Sequence, residues 1–266
     1  MGTLIFNGIS SEELSIIIQA PPTYAIPEKD YTVTHINGKN GDIILNDKSY
    51  KNVEITYSLA CIFQNETNFA TNAEAISTWL HSADGYARLE DSYDPEVFRL
   101  AMYKDSAEMQ NYYDTVTTIA PVFNCKPQRY YKSGDNFVEI VNGQAVINPT
   151  GFKALPLISF TQADSSKESK ITFTNGSNVS TLTLSQTLKN DNIYVDCEIM
   201  EVYTDTSLIN NKVSINTDEF LCLDKGTTII TFENITNLKI KPRWWSLWLS
   251  YSIEMKRNSL LLVLVY

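Results

Sequence analysis

Val53, Ile55, Tyr57, Leu59 and Cys61 fall on every second position of one stretch, with polar or small residues between them. A period of two puts all five on the same side of an extended chain, so the stretch from Tyr50 to Cys61 is expected to be a strand with one face against a core. The residues before it read as a hairpin. Tyr31 to Ile36 is rich in β-branched and aromatic residues, Asn37 to Gly41 tolerates positive φ, and Asp42 to Leu45 resumes the strand pattern. A second turn is expected at Asn46 to Ser49. The hairpin has a polar tip and arms without a sustained apolar face, so it is expected to project from its domain and to meet a partner.

The rest of the chain is punctuated in the same way. Leu4 to Ile9 reads as a strand, Ser10 to Glu13 as a turn, and Ile16 to Ile18 as a further strand, after which Pro21, Pro22 and Pro27 make a donor-poor connector. One helix is expected from Ala73 to about Ser82, capped by Thr71 or Asn72 and stopped at Gly85, with Ile76, Trp79 and Leu80 on one face. Strands follow at Tyr86 to Glu90, Val97 to Tyr103 and Thr115 to Cys125. At 266 residues the chain is long for one sandwich, and the polar joint Lys132 to Asp135 supplies a boundary near Gly134. The expected domains are 1–133 and 134–266. The second is a succession of short strands separated by turn residues, the pattern of an antiparallel sandwich. The fold class is therefore mainly β, with two β-sandwich-like domains, the first carrying one helix and the projecting hairpin.

Charge and chemistry narrow the function. The formal charge is −10, from 21 basic and 31 acidic residues, and the first 133 residues hold 10 basic against 17 acidic, or −7 of the total. That balance argues against nucleic-acid binding, which depends on basic residues displacing counterions from phosphates, although it does not prevent DNA from passing by. His35 and His81 are the only histidines, so neither a histidine-based triad nor a multi-histidine metal site fits one chain. No Walker A loop, G-x-S-x-G or G-x-G-x-x-G occurs. Cys61, Cys125, Cys197 and Cys222 have no metal or redox spacing and read as buried free thiols. No basic stretch followed by an apolar core opens the chain, so no signal peptide is expected and the sequons at Asn65, Asn175, Asn178 and Asn234 read as chance matches. Glu90 with Asp91, and Asp94 with Glu96, read as a solvated acidic loop. Trp244 and Trp245 are adjacent on a strand and point to opposite faces, so at most one can meet a given ligand.

Taken in order, these residues resemble the distal tail proteins of long non-contractile-tailed phages. The resemblance is carried by Phe6 to Ile18 with its Ser-Ser-Glu-Glu turn, His35 to Gly41, Tyr50-Lys-Asn52, the helix ending in Trp79-Leu80, Gly85 to Glu90 and Lys126 to Tyr130. In the second half it is carried by Asn148-Pro-Thr-Gly151 with Leu155-Pro156, Tyr194-Val-Asp196, Val202-Tyr203, Phe220 to Gly226 and Pro242-Arg-Trp-Trp245. It covers positions 4 to 247. It implies that the second domain is galectin-like and that the chain is a structural, non-enzymatic hub without cofactors. It further implies a homohexameric ring in the virion, made in the host cytoplasm, between the tail tube protein and a tail fibre or tip protein with receptor-binding proteins. DNA would cross a central channel without specific binding, and no membrane is involved. On that basis His35, Asn37, Gly38, Lys39, Asn40 and Gly41 are candidate subunit-interface residues, and Asp84, Glu90 and Asp91 candidate channel-lining residues.

Two features depart from the family pattern. A galectin-type sugar site uses a histidine, and none follows His81; the chain also continues past Leu247 to the apolar run Leu260 to Tyr266, far short of the ~20 residues that span a bilayer. An extra strand or an aggregation-prone end is expected there. The competing classes are a carbohydrate-binding module or adhesin using the second sandwich, and a glycosidase using the acidic loop.

Overall fold

A computed structural model describes residues 2–62, 69–104, 107–112, 116–187 and 191–247. The run Leu260 to Tyr266 and the sequon at Asn65 lie outside the described residues. The chain forms two compact units, Met1–Arg129 and Tyr130–Tyr266. No helix among the described residues is long and apolar enough to cross a membrane.

Besides a separate two-stranded ribbon, the described residues of the first unit form two larger antiparallel sheets. One runs in the order Ile9–Ser10, Leu4–Phe6, Ala87–Asp91, Val97–Tyr103, Val122–Cys125, Val53–Thr56, and the other in the order Gln110–Tyr112, Val116–Ile119, Leu59–Ile62, Ile16–Ile18. The alternation from Val53 to Cys61 is fully realised, since all five apolar residues are buried. It does not, however, belong to one strand. Ile55 sits opposite Phe123 in the first sheet and Leu59 opposite Ile119 in the second, so two neighbouring segments leave one sheet together and join the other. They bend where Tyr57 N–H donates to the Pro121 carbonyl at 3.1 Å. Proline has no N–H for a ladder, which is why the expected strand from Thr115 to Cys125 is broken at that point.

The core between these sheets is built from Leu4, Phe6, Ile16, Ile55, Tyr57, Leu59 and Phe123, and Ile76 and Trp79 of the helix join it. Phe6 and Tyr57 meet Phe123 edge-on, with ring centroids at 5.0 and 5.9 Å. The helix spans Phe69–Leu80, starting before the expected cap at Thr71 or Asn72, and it buries Ile76, Trp79 and Leu80 as the spacing predicts. Ser10 to Glu13 forms more than a simple turn. Ser10 and Glu13 make a reciprocal capping box over a 3-10 turn at Ser11–Leu14, which Ser15 ends at φ 56° before β-branched Ile16–Ile18 turns extended.

The second unit contains two five-stranded antiparallel sheets. Their orders are Val138–Glu139, Ile235–Lys241, Leu157–Gln162, Ile193–Asp196, Glu201–Thr204, and Gln144–Asn148, Gly226–Glu233, Ser169–Asn175, Asn178–Leu184, Val213–Ile215. Ile158 and Phe160, Ile171 and Phe173, and Leu182 and Leu184 are buried at alternate positions, the pattern of a β-sandwich. The strand Val213–Ile215 was not expected from sequence. Asn148 fixes the loop after the first strand of the second sheet: its side-chain N–H groups donate to the carbonyls of Phe152 and Leu223 at 2.8 and 2.9 Å, and its oxygen accepts from the N–H and hydroxyl of Thr150.

Candidate functional site

Lys29–Thr34 and Ile43–Tyr50 form a two-stranded sheet of their own. The second arm continues through Asn46 to Ser49, where a turn was expected, because the opposite arm supplies ladder partners as far as the pairing of Lys29 with Tyr50. Register corrects a second expectation. Val33 lies opposite Ile44 and Tyr31 opposite Asn46, so Tyr31, Val33 and Ile44 share one face, exposed at 53%, 50% and 64%. The arms therefore do present an apolar face. An isolated two-stranded ribbon is marginal in water, and a face of this kind calls for a cover. At the tip His35, Asn37, Gly38, Lys39, Asn40 and Gly41 are all exposed. Gly38 and Gly41 take φ of 84° and 81°, which side chains resist, and His35 Nδ1 lies 3.0 Å from Asp42 Oδ1 across the mouth of the loop.

The two arms are closed at the base. Lys51 N–H donates to the Glu28 carbonyl at 2.9 Å, with the Lys51 ammonium 3.7 Å from the Glu28 carboxylate. Upstream, Tyr24 of the proline-rich connector donates its hydroxyl to Asp91, with both carboxylate oxygens within 2.9 Å. Tyr57 donates to the same carboxylate at 2.8 Å, and the backbone N–H groups of Tyr93 and Asp94 add 2.9 and 3.1 Å bonds. Burial first, and then the Asp91 charge, push both tyrosine pKa values up. The Arg99 guanidinium lies 5.7 Å from the Tyr24 ring centroid, and burial, followed by the Arg129 charge, lowers its pKa. Arg129 falls in the stretch Lys126 to Tyr130, but neither Tyr24 nor Arg99 was singled out in the sequence. Tyr24, as the lone aromatic of the connector, was the available signal.

The three acidic candidates are placed differently. Asp84 is exposed, Glu90 is largely covered and paired with Arg88, and Asp91 is engaged by the two tyrosines. Asp94 is paired with Arg129. The loop expected to be a solvated acidic run is thus in large part a set of internal contacts.

The tryptophan pair of the second unit is held largely by internal contacts. Trp244 is buried, while Trp245 is partly exposed, with Phe152 stacked on it at 4.5 Å and its indole N–H donated to the Lys153 carbonyl at 2.8 Å. His35 lies on the hairpin and His81 follows the helix, where its Nδ1 meets the Ser77 carbonyl at 2.8 Å. Among the described residues no group of three or more His, Cys, Asp or Glu could hold a metal ion. Cys61, Cys125 and Cys197 are buried and free, and Cys222 is half buried and free. Burial pushes the Cys61 and Cys125 thiols up to about 11 and about 12.

No family model matches the chain, and no curated protein sequence matches it. Solved structures do. The SPP1 Dit protein, a hub of the adsorption apparatus of phages that infect Gram-positive bacteria, superimposes with a TM-score of 0.69 at 15% identity, over 90% of this chain and 98% of that one. A chain of the phage P2 baseplate in its activated conformation with calcium gives 0.57 at 9% identity, over 90% and 97%, and the strontium form gives 0.55 over 90% and 96%. The chain shares the fold of the SPP1 Dit protein across nearly its whole length.

Proposed function

We propose that the chain is a structural component of a phage tail tip, a non-enzymatic hub that assembles as a hexameric ring joining the tail tube to the host-adhesion apparatus. The observation that carries this reading is the near end-to-end fold likeness to the SPP1 Dit hub, in which both units take part. The ribbon Lys29–Tyr50 supports it further, because an exposed apolar face on a two-stranded sheet is suited to embracing the next subunit of a closed ring. His35 and Asn37 to Gly41 then sit at the leading end of that contact. The second unit is read as the galectin-like domain, facing the adhesion proteins. In such a ring the first unit would line the passage for DNA. Its negative charge disfavours adhesion of phosphates, with Asp84 the freest of the three acidic candidates to act and Glu90 and Asp91 already committed to internal contacts. The measurement that tests the assembly is the mass of the purified protein in solution. A particle of six chains of 30.1 kDa is expected, and a strict monomer at all concentrations would refute self-assembly.

A carbohydrate-binding module remains the competing class, and the partial exposure of Trp245 is the feature that favours it. The burial of Trp244 and the lack of histidine after His81 weigh against it.

A further inference from the structure

Arg88 is paired with Glu90 and Arg129 with Asp94, but Arg99, the remaining arginine of the first unit, has no carboxylate at ion-pair distance among the described residues. It stands on Val97–Tyr103 opposite Leu89 and, two positions before Ala101, faces the core, where it is 4% exposed. Its Nη1 and Nη2 are buried, and no described group accepts a hydrogen bond from either. A lysine or histidine so placed would shed its charge, whereas a guanidinium keeps its proton. Burial, and after it the charge of Arg129, oppose the cation, and the groups that favour it most are Cys125, Tyr57 and Asp94. Burial pushes the Cys125 thiol and the Tyr57 hydroxyl up, so both are neutral at pH 7, and Asp94 is engaged by Arg129. The Tyr24 ring lies over the guanidinium, an attraction that still leaves Nη1 and Nη2 without an acceptor.

We propose that Arg99 binds a small monovalent anion of the chloride class in the interior of the first unit, with Nη1 and Nη2 as its donors. Charge sets the valence. Arg129 is already offset by Asp94, so one positive charge is left to answer, and a divalent sulfate or phosphate would put an uncompensated negative charge into the same interior. Cover sets the size. Tyr24 lies over Arg99 and its hydroxyl is fastened to Asp91 at 2.8 and 2.9 Å, so a carboxylate carried on another chain would have to break that closure, while a free ion can enter in a brief opening. A water molecule could accept from Arg99 but would bring no charge, and the buried cation would stay uncompensated. The ion acts as a structural counter-charge, and the stability of the first unit depends on halide in consequence.

The test follows backbone amide exchange of the full chain at fixed ionic strength, with chloride raised tenfold in place of gluconate, which is too large to enter. The slowest amides of Ala87–Asp91 and Val97–Tyr103 report unfolding of the first unit, and their exchange should slow severalfold, toward the limit of about tenfold for one site filled over that range. Arg99→Met keeps an apolar stem and removes the charge, so it should fold and show no chloride dependence. No dependence in the wild type, or an equal one in Arg99→Met, overturns the proposal. A second measurement needs no variant: crystals of the wild type soaked in bromide should give an anomalous peak in contact with Nη1 and Nη2 of Arg99. Bromide found only on the surface overturns the proposal, as does a preference for formate over chloride, which would make a carboxylate the ligand. None of these readouts depends on whether the chain forms a ring, so the anion site and the hub reading stand or fall separately.

Discussion

Arg243 and Asp196 meet fork to fork: Nη1 and Nη2 of the guanidinium donate to the two carboxylate oxygens at 2.7 and 2.8 Å. Arg243 holds this geometry from a backbone φ of 57°, a conformation that a non-glycine residue adopts only when its surroundings impose it. Burial alone would raise the Asp196 pKa; the two bonds from Arg243, its charge and the N–H groups of Glu198 and Ile199 reverse that and hold it low. The Pro-Arg-Trp-Trp motif is thus a clamp within the second unit.

Arg243→Ala is expected to destabilise the second unit by about 2–4 kcal/mol, because it strands a largely buried carboxylate. Arg243→Lys should recover only part, since a point charge cannot reproduce the fork. A carboxylate depressed in the folded state contributes stability that is complete above its unfolded pKa and fades as pH falls through the folded value. Urea midpoints of the wild type should therefore fall below about pH 4, and Arg243→Ala should lose much of that dependence. An unchanged pH profile in the variant would show that the pair contributes nothing.

Gly134 is predicted to tolerate no side chain. A Cβ there would lie 2.6 Å from the Trp244 backbone nitrogen and 2.8 Å from its ring, whereas at Gly85 it would meet nothing within 4 Å. Gly134→Ala should cost about 1–3 kcal/mol of stability and Gly85→Ala close to nothing. Denaturant titration of the two variants side by side decides this, and equal midpoints would contradict the geometry.

Asp91 should behave as a structural hub for two tyrosines. Asp91→Ala is expected to cost about 3 kcal/mol, since the buried Tyr57 hydroxyl loses its acceptor, while Tyr24→Phe should cost about 1 kcal/mol. Adding Tyr57→Phe to Asp91→Ala should restore part of the loss, a coupling that a double-mutant cycle reads directly. Strict additivity would mean that the bond is not worth forming.

The hairpin should be dispensable for folding and required for assembly. Replacing Thr34 to Ile43 by a short turn is expected to leave a folded monomer, and Val33→Asp with Ile44→Asp should weaken assembly at least about tenfold by charging the apolar face. Sedimentation at several concentrations distinguishes the outcomes. A hexamer that survives both changes would remove the hairpin from the interface.

The second unit is expected not to bind β-galactosides. Trp245 is the partly exposed member of the tryptophan pair, and Phe152 stacks on it. Glycan-array binding at millimolar affinity or better that is lost in Trp245→Ala would reverse this view.

What the sequence disclosed and what it hid follow from range. Alternation at Val53 to Cys61 and the helix face of Ile76, Trp79 and Leu80 were legible because local period and burial coincide. The passage between sheets at Tyr57 was not, since alternation looks the same whichever sheet a segment joins. Asp91 read as solvated because its tyrosine partners stand 67 and 34 residues away. The apolar face of the hairpin was hidden for a different reason: it appears only when the two arms are set in register, and Tyr31, Val33 and Ile44 are unremarkable when each arm is taken alone.

The bend at Tyr57 and Pro121 also governs how the first unit bears force. The outgoing arm of the hairpin ends at Tyr50 and leads almost at once into Val53–Thr56, which is bonded along its length to Val122–Cys125, and then into Leu59–Ile62, bonded to Val116–Ile119 and Ile16–Ile18. Tension drawn along that arm loads each ladder in shear, so its bonds must give way together and not one after another. Under such a pull the two sheets would share the load before either could open.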